Sequence, residues 1–397
     1  MPPLFFPLNG HAHTRSTGQP GQYIIPKGNY TRNLKSPVFF FDGQPISVSQ
    51  KNAFSATAQL NQVIFNSAVF TGVGTARTYQ EAARETYRNA LAETMYNVRQ
   101  MYYTALFARE TWELLQRSLE NAEENLRNVR VMMNEGLVAE YDAIRAEVAT
   151  ENIRPQVLEA EQQYKDATNA LKLVIGLDVN REVTPTGEFT YQTESLPGLA
   201  ELQDKAVIAN YSLRALELQM RVNQELIDIN RSEYLPTVSL FGNYTYQGQA
   251  DDFNFITVSS ASAGLNLSLS IFKGFQSDAR VQQARIDYLR IQEQYRSALQ
   301  ALRLQIETVA GRVENARRRI EAQGRTVDQA QRGYEIAQIR YNAGTGTQLE
   351  INDAELALRQ ARLNRVQAIF DYLVSRSQLG QFLGDVPERY LQTVPGM

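Results

Sequence analysis

The chain has 397 residues, no cysteine, and a formal net charge of −3 from 40 basic and 43 acidic residues. Charges so evenly mixed offer no basic field for nucleic acid, and the lack of thiols excludes disulfides and thiolate catalysis. Mean hydropathy is −0.38, and no stretch approaches the roughly 18 apolar residues that a membrane-spanning helix needs.

In chain order, Met1-Pro2-Pro3-Leu4-Phe5-Phe6 has neither the basic start nor the apolar core of a signal peptide. Residues 4–13 have strand character. His11 and His13 share one face of it, but no third ligand lies nearby, so they read as polar side chains rather than a metal site. Residues 14–52 are rich in Gly, Pro, Asn and Ser and are predicted as a long surface loop. Over 53–65, Phe54, Ala56, Ala58 and Leu60 alternate with Ser55, Thr57, Gln59 and Asn61, the period-two pattern of a strand with one apolar face.

A helical hairpin is predicted over 70–176. Its outgoing arm carries apolar residues at Leu91, Met95, Val98, Tyr102 and Ala105, then at Ala108, Trp112, Leu115, Leu119, Ala122, Leu126, Val129 and Met133. Steps of four and three make a heptad seam. Gly136 ends the arm as a helix-terminating glycine. The return arm starts near Tyr141, and Pro155 inside it predicts a kink or local break. Residues 177–198 are predicted as a linker, with a short strand around Glu188-Phe189-Thr190-Tyr191.

A helix is predicted over 200–233, then strands over 236–247 and 259–272. In the second strand Ala261, Ala263, Leu265, Leu267, Leu269 and Ile271 alternate with Ser and Asn. About 9–11 such residues make a transmembrane β-strand, but a half-buried strand of a soluble sandwich has the same pattern. The last segment, 274–384, repeats the hairpin. Its seam runs through Val281, Ala284, Tyr288, Ile291, Tyr295, Ala298 and Leu302. It shifts register by a four-residue step to Ile306, Val309, Val313, Ala316 and Ile320, and resumes at Val327, Ala330, Tyr334, Ala337 and Tyr341. Gly344 ends this arm.

The two halves are copies. Ile64-Phe65 recurs as Ile271-Phe272, Gly136 as Gly344 and Gly176 as Gly384, offsets of 207 to 208 residues. The first repeat spans 1–178, a linker at mid-height 179–198, the second repeat 199–386, and a tail 387–397. The second repeat opens with a helix that has no counterpart before Pro2-Pro3-Leu4. A helix of about 35 residues, preceded by an export signal, is therefore expected upstream of the sequence given.

No G-x-S-x-G, P-loop, Rossmann or H-E-x-x-H motif occurs, and no cofactor or enzymatic site is predicted. The informative places are the hairpin tips, Gly136-Leu137-Val138 and Gly344-Thr345-Gly346. Six residues past each glycine stands a carboxylate, Asp142 or Glu350, placed to cap the next helix and complement its dipole. Asp353 shares a helix face with Glu350. Around a symmetry axis such carboxylates would form rings that favour cations.

Tyr234-Leu235-Pro236-Thr237-Val238-Ser239 resembles the helix-to-strand passage of the outer membrane efflux protein family, the TolC-like channels. Leu269-Ser270-Ile271-Phe272 before Gly274 resembles that family's "sxPifxGG" passage into the long helix, and both tips resemble its "xxGlxxxxDv" turn. The resemblance covers residues 2–386. It implies a mainly α-helical, internally duplicated chain. Four transmembrane β-strands per chain would build a trimeric 12-stranded barrel in the bacterial outer membrane, continued by a long α-helical coiled-coil barrel in the periplasm. Implied partners are a homotrimer, outer membrane lipid, a periplasmic adaptor (membrane fusion protein) docking at the tips, and an inner-membrane pump. The implied function is a passive exit duct for efflux or type I secretion. By the same resemblance Glu350 and Asp353 match the tunnel constriction, and Asp142, Tyr341 and Gly346 match a polar latch. The family often has Arg at the last position, so the latch's ion pair is not available to Gly346. The rival readings are a periplasmic adaptor, which has only one hairpin, and a soluble coiled-coil scaffold, which has no use for strands with continuous apolar faces.

Overall fold

A computed structural model describes residues 22–34, 38–42, 44–47, 50–191 and 195–391. Strands β1 (Gln22–Arg32), β4 (Asn52–Phe65), β5 (Thr237–Ala250) and β6 (Ile256–Ser268) form one antiparallel sheet in the order β1-β4-β5-β6. A separate hairpin joins β2 (Val38–Phe41) to β3 (Gln44–Ser47). The helices are α1 (Ser67–Asn134), α2 (Glu140–Val174), α3 (Leu199–Ala209), α4 (Tyr211–Arg231), α5 (Gln276–Asn342), α6 (Gln348–Phe382) and the short α7 (Glu388–Leu391). Two compact units result. One joins the described residues up to Tyr79 to Met220–Ile291. The other joins Gln80–Gln219 to Gln292 and the residues after it.

The strand expected over 4–13, with His11 and His13, lies outside the described residues. The loop expected over 14–52 is corrected, because it contains β1, paired with β4 along its length from Gln22↔Gln62 to Arg32↔Asn52. Pro26 and Gly28 made this segment look like a loop. Pairing with β4 over eleven residues outweighs these two local loop signals. Across the sheet, partners share a face. Ala58, Tyr244 and Ala261 line up, as do Leu240 with Leu265 and Val238 with Leu267. The opposite face aligns Thr57, Thr245 and Ser260, and Gln59, Asn243 and Ser262. Among the described residues nothing covers the apolar face, and Leu265 and Leu267 are about two-thirds exposed (68% and 69%). Strand β6 ends at Ser268, short of the predicted Phe272.

Outside the sheet, Ile227 of α4 packs on Val281 and Ala284 of α5. Glu233, after α4, accepts a hydrogen bond from Ser277 Oγ at 2.8 Å and pairs with Arg280, and these bonds hold its carboxyl below the usual range.

The outgoing helices have 68 and 67 residues, each roughly 100 Å long at 1.5 Å per residue. Their partners α2 and α6 have only 35 residues apiece and cover about half of them. Along α1, Leu115 packs against Ile153, Val157 and Ala160 of α2. Along α5, Val313, Ala316 and Ile320 pack against Ala368, Ile369 and Tyr372 of α6. Further along α5, Leu302, Ile306 and Val309 meet Leu202 and Ala206 of α3 and Leu213 of α4. Apart from Ser277, the buried residues of α5 are heptad positions; in α1 Ala105, Ala108, Leu115, Leu126 and Val129 are too, whereas Ala92, Leu106 and Ser118 are buried off the seam.

Of the kink or break expected at Pro155 the break is excluded, and a second expectation is corrected. Helix α2 continues through Pro155 without a break. The predicted 200–233 helix is interrupted at Asn210, whose backbone is extended. Its side-chain oxygen accepts the Leu213 N–H at 3.0 Å and its amide donates to Phe382 O at 3.2 Å, so a side chain replaces the helical bonds lost there. The linker forms no strand among its described residues. It is strapped on by side chains: Tyr102 donates to Thr186 O at 2.6 Å, and Arg109 donates to Pro185 O at 2.8 Å and Gly187 O at 3.1 Å.

Ile306 is fully buried while Gln305 beside it is exposed. Ile306→Ala is expected to lower unfolding stability by about 2–5 kcal/mol, and Gln305→Ala by no more than about 0.5. Denaturant unfolding followed by helical circular dichroism checks the difference, and equal costs would contradict this packing.

Candidate functional site

The hairpin tips are built the same way up to the glycine. After α1, Gly136 adopts φ +71 and its N–H donates to Met133 O at 3.0 Å, while the Leu137 N–H donates to Met132 O at 2.8 Å. After α5, Gly344 adopts φ +70 and donates to Tyr341 O at 2.9 Å, while the Thr345 N–H donates to Arg340 O at 2.9 Å. Two bonds around a left-handed residue satisfy carbonyls that the helix end leaves open.

Beyond the glycines the tips differ. Ala139 precedes α2 without a side-chain cap. Thr347 caps α6 by accepting the Glu350 N–H at 3.3 Å. The expectation that Asp142 and Glu350 cap these helices is therefore corrected. Both sit in the first turn, where a negative charge still favours the helix dipole. Glu350 pairs with Arg340 at 3.3 Å. Sequence reasoning missed this pair, although a basic residue in the last turn of a helix is a recognisable signal.

One core gathers both hairpins. Leu126 and Val129 of α1, Ala143 and Ala146 of α2, Tyr334, Ala337 and Tyr341 of α5, and Ile351 and Leu358 of α6 pack together, with Val138 against them. This brings Tyr341 close enough to Asp142 for their charges to couple. Burial, and secondarily Asp142, raises the tyrosine's pKa. The Tyr341 hydroxyl is buried without a hydrogen-bond partner. Gly346 brings no side chain to this group. Leu137, Gly136, Gly344 and Thr345 are exposed, and Leu137 is 71% so. Glu350 is half-buried and Asp353 exposed.

One turn further along, a cleft of about 200 Å³ is lined in part by Asn125, Asn152, Asp353, Glu355 and Arg359. Glu355 and Arg359 pair at 3.5 Å with most of their side chains buried. Burial raises the Glu355 pKa, opposed by Arg359, a hydrogen bond from Ser118, and Arg362.

The outer membrane efflux protein family model matches residues 32–177 and 202–385, which is most of the chain and both repeats. The chain belongs to the outer membrane efflux protein family. The outer membrane protein TolC of Vibrio cholerae is 22% identical over 352 residues, 87% of this chain and 80% of that protein. The alkaline protease secretion protein AprF of Pseudomonas aeruginosa is 22% identical over 351 residues, covering 86% and 72%. The Campylobacter jejuni CmeC outer membrane channel has the same fold, with a TM-score of 0.75 at 18% identity over 91% of this chain and 77% of that one. This outer membrane efflux protein has the four-stranded sheet and long helical hairpins of those channels.

The raised pKa of Glu355 has a defined sign. Between the ordinary carboxylate pKa and the raised folded value, the folded state holds more protons than the unfolded state. Stability contributed by Glu355 therefore falls as pH rises through that window. In Glu355→Gln this decline is expected to vanish. Unfolding of both proteins at a series of pH values from about 4 upward checks it, and identical pH profiles would contradict the burial assigned to Glu355.

Proposed function

We propose that three copies of this chain assemble into a 12-stranded barrel in the outer membrane, and that it serves as a passive exit duct without enzymatic activity or cofactor. The observation that carries this reading is the sheet. Among the described residues it has four strands, an uncovered apolar face, and two edges, β1 and β6, without a partner strand. Lipid tolerates no open edge, and four strands are too few for a barrel. Three copies, the number implied by the family resemblance, give twelve. The apolar face then meets lipid, and the Thr, Ser, Asn and Gln face meets water in the lumen.

On this reading the helices extend into the periplasm. The tips at Gly136, Leu137, Val138, Gly344, Thr345 and Gly346, of which Gly136, Leu137, Gly344 and Thr345 are exposed, receive a periplasmic adaptor, which links the duct to an inner-membrane pump. Glu350 and Asp353 form carboxylate rings at the narrow end. Tyr341, in the core of the two hairpins, and Asp142 beside it hold that end. The pump, rather than the duct, selects the cargo.

Two experiments test the reading. Ala263→Arg, on the apolar face at the middle of β6, is expected to cost about 2–4 kcal/mol, and Ser262→Arg on the polar face little. Heat-resistance of the trimer in lipid checks this, and equal tolerance would count against a barrel. Glu350→Gln combined with Asp353→Asn is expected to weaken cation selectivity in planar bilayers with the trimer intact. Unchanged selectivity would place the constriction at other residues.

A further inference from the structure

We infer that Arg340 sets the charge of the constriction by neutralising Glu350 within each chain, so that the Glu350 ring carries far less negative potential than its carboxylates suggest. This rests on the reading of Glu350 and Asp353 as constriction residues.

The geometry starts from Gly346. A Cβ there would lie 2.9 Å from Tyr341 N and 3.1 Å from the Arg340 carbonyl carbon. These are backbone atoms and cannot swing aside, so this tip admits no side chain at 346, and no cation can come from that position. The crowding has a visible source. The Gly346 N–H, the Thr345 N–H and the Thr345 hydroxyl all converge on Arg340 O, at 3.0, 2.9 and 3.2 Å. The tip is drawn tightly against the last turn of α5.

The same convergence aims the Arg340 side chain. Its Nη2 donates to Thr345 O at 3.2 Å, and its Nη1 reaches Glu350 at 3.3 Å. The guanidinium is thus held at two points across the turn, one of them neutral. A planar fork suits this, whereas an ammonium would keep the charge and lose one contact. The pair is half exposed, with side chains 51% and 41% accessible. Its contribution to stability is accordingly small, but its effect on local charge is not.

The first repeat serves as an internal control. The position matching Arg340 is Met132, and the position matching Glu350 is Asp142. Met132 packs into the core, and Asp142 has no ion pair among the described residues. The duplicated tips therefore share their backbone turn and differ in electrostatics. The carboxylate of the second is compensated, and that of the first is not.

The test is the reversal potential of trimers in planar bilayers under a KCl gradient, with assembly confirmed on gels. Arg340→Gln is expected to raise the cation-to-anion permeability ratio about twofold or more. Glu350→Gln is expected to lower it, because the guanidinium is left uncompensated. The double variant is expected to return close to the parent, since the pair is removed whole. Arg340→Lys is expected to keep the parent ratio, which separates charge from the bond to Thr345. If Arg340→Gln leaves the ratio unchanged or lowers it while Asp353→Asn shifts it, the inference fails and the constriction reading stands. If neither Asp353→Asn nor Glu350→Gln has any effect, the constriction reading itself fails and the inference with it.

Discussion

Unpaired backbone at the two sides of one sheet is the constraint on which the structure depends. Strand β4 pairs with β5 although a complete helical hairpin, the linker and two further helices separate them in sequence. Through this pairing the two repeats become one sheet. Side chains reinforce it: the Lys51 N–H donates to Asp251 at 2.9 Å, and Thr57 and Thr245 share a 3.4 Å hydrogen bond across the polar face. Among the described residues, strands β1 and β6 are left as edges. An edge of 11 to 13 residues with an apolar flank invites uncontrolled pairing in water, and closure removes the hazard.

The helices answer a different demand, which is length. No single helix of ordinary size can cover one of 68 residues, so each long helix needs partners laid end to end. For α5 these are α6 over one part and the α3–α4 pair over another, with the break at Asn210 between α3 and α4. The four-residue step from Leu302 to Ile306 falls where α3, α4 and the end of α6 converge, and both residues are buried there. A shifted register is what a helix needs where it changes partners.

Much of this is legible in the sequence because it is periodic. The α5 seam, the alternation of β4, β5 and β6 and the repeated glycines depend on local pattern and are found in the structure, whereas α1 buries Ala92 and Leu106 off its seam. Strand β1 was illegible because Pro26 and Gly28 are loop signals unless a partner strand is already present. The break at Asn210 depends on Phe382, which is distant in sequence, to receive its amide. At the tips, the turn and the carboxylates are visible, but the cap is Thr347 and the cation is Arg340. Both depend on how closely the loop approaches the helix end, which spacing alone does not reveal. In the sequence, Gly346 shows only a missing charge. In the folded tip its missing Cβ is also the space that lets the turn close.

Closure of the sheet by neighbouring chains is tested most directly by cross-linking its edges, and the cysteine-free chain is well suited to this. One cysteine at Lys27 on β1 would be combined in turn with one at Ser260, Ser262 or Asn266 on β6, all on the polar face, and the protein oxidised in its membrane. At one of these registers a ladder of covalent monomer, dimer and trimer that stops at trimer is expected. Monomers alone at every register, or a ladder continuing past trimer, would contradict a barrel closed by three copies.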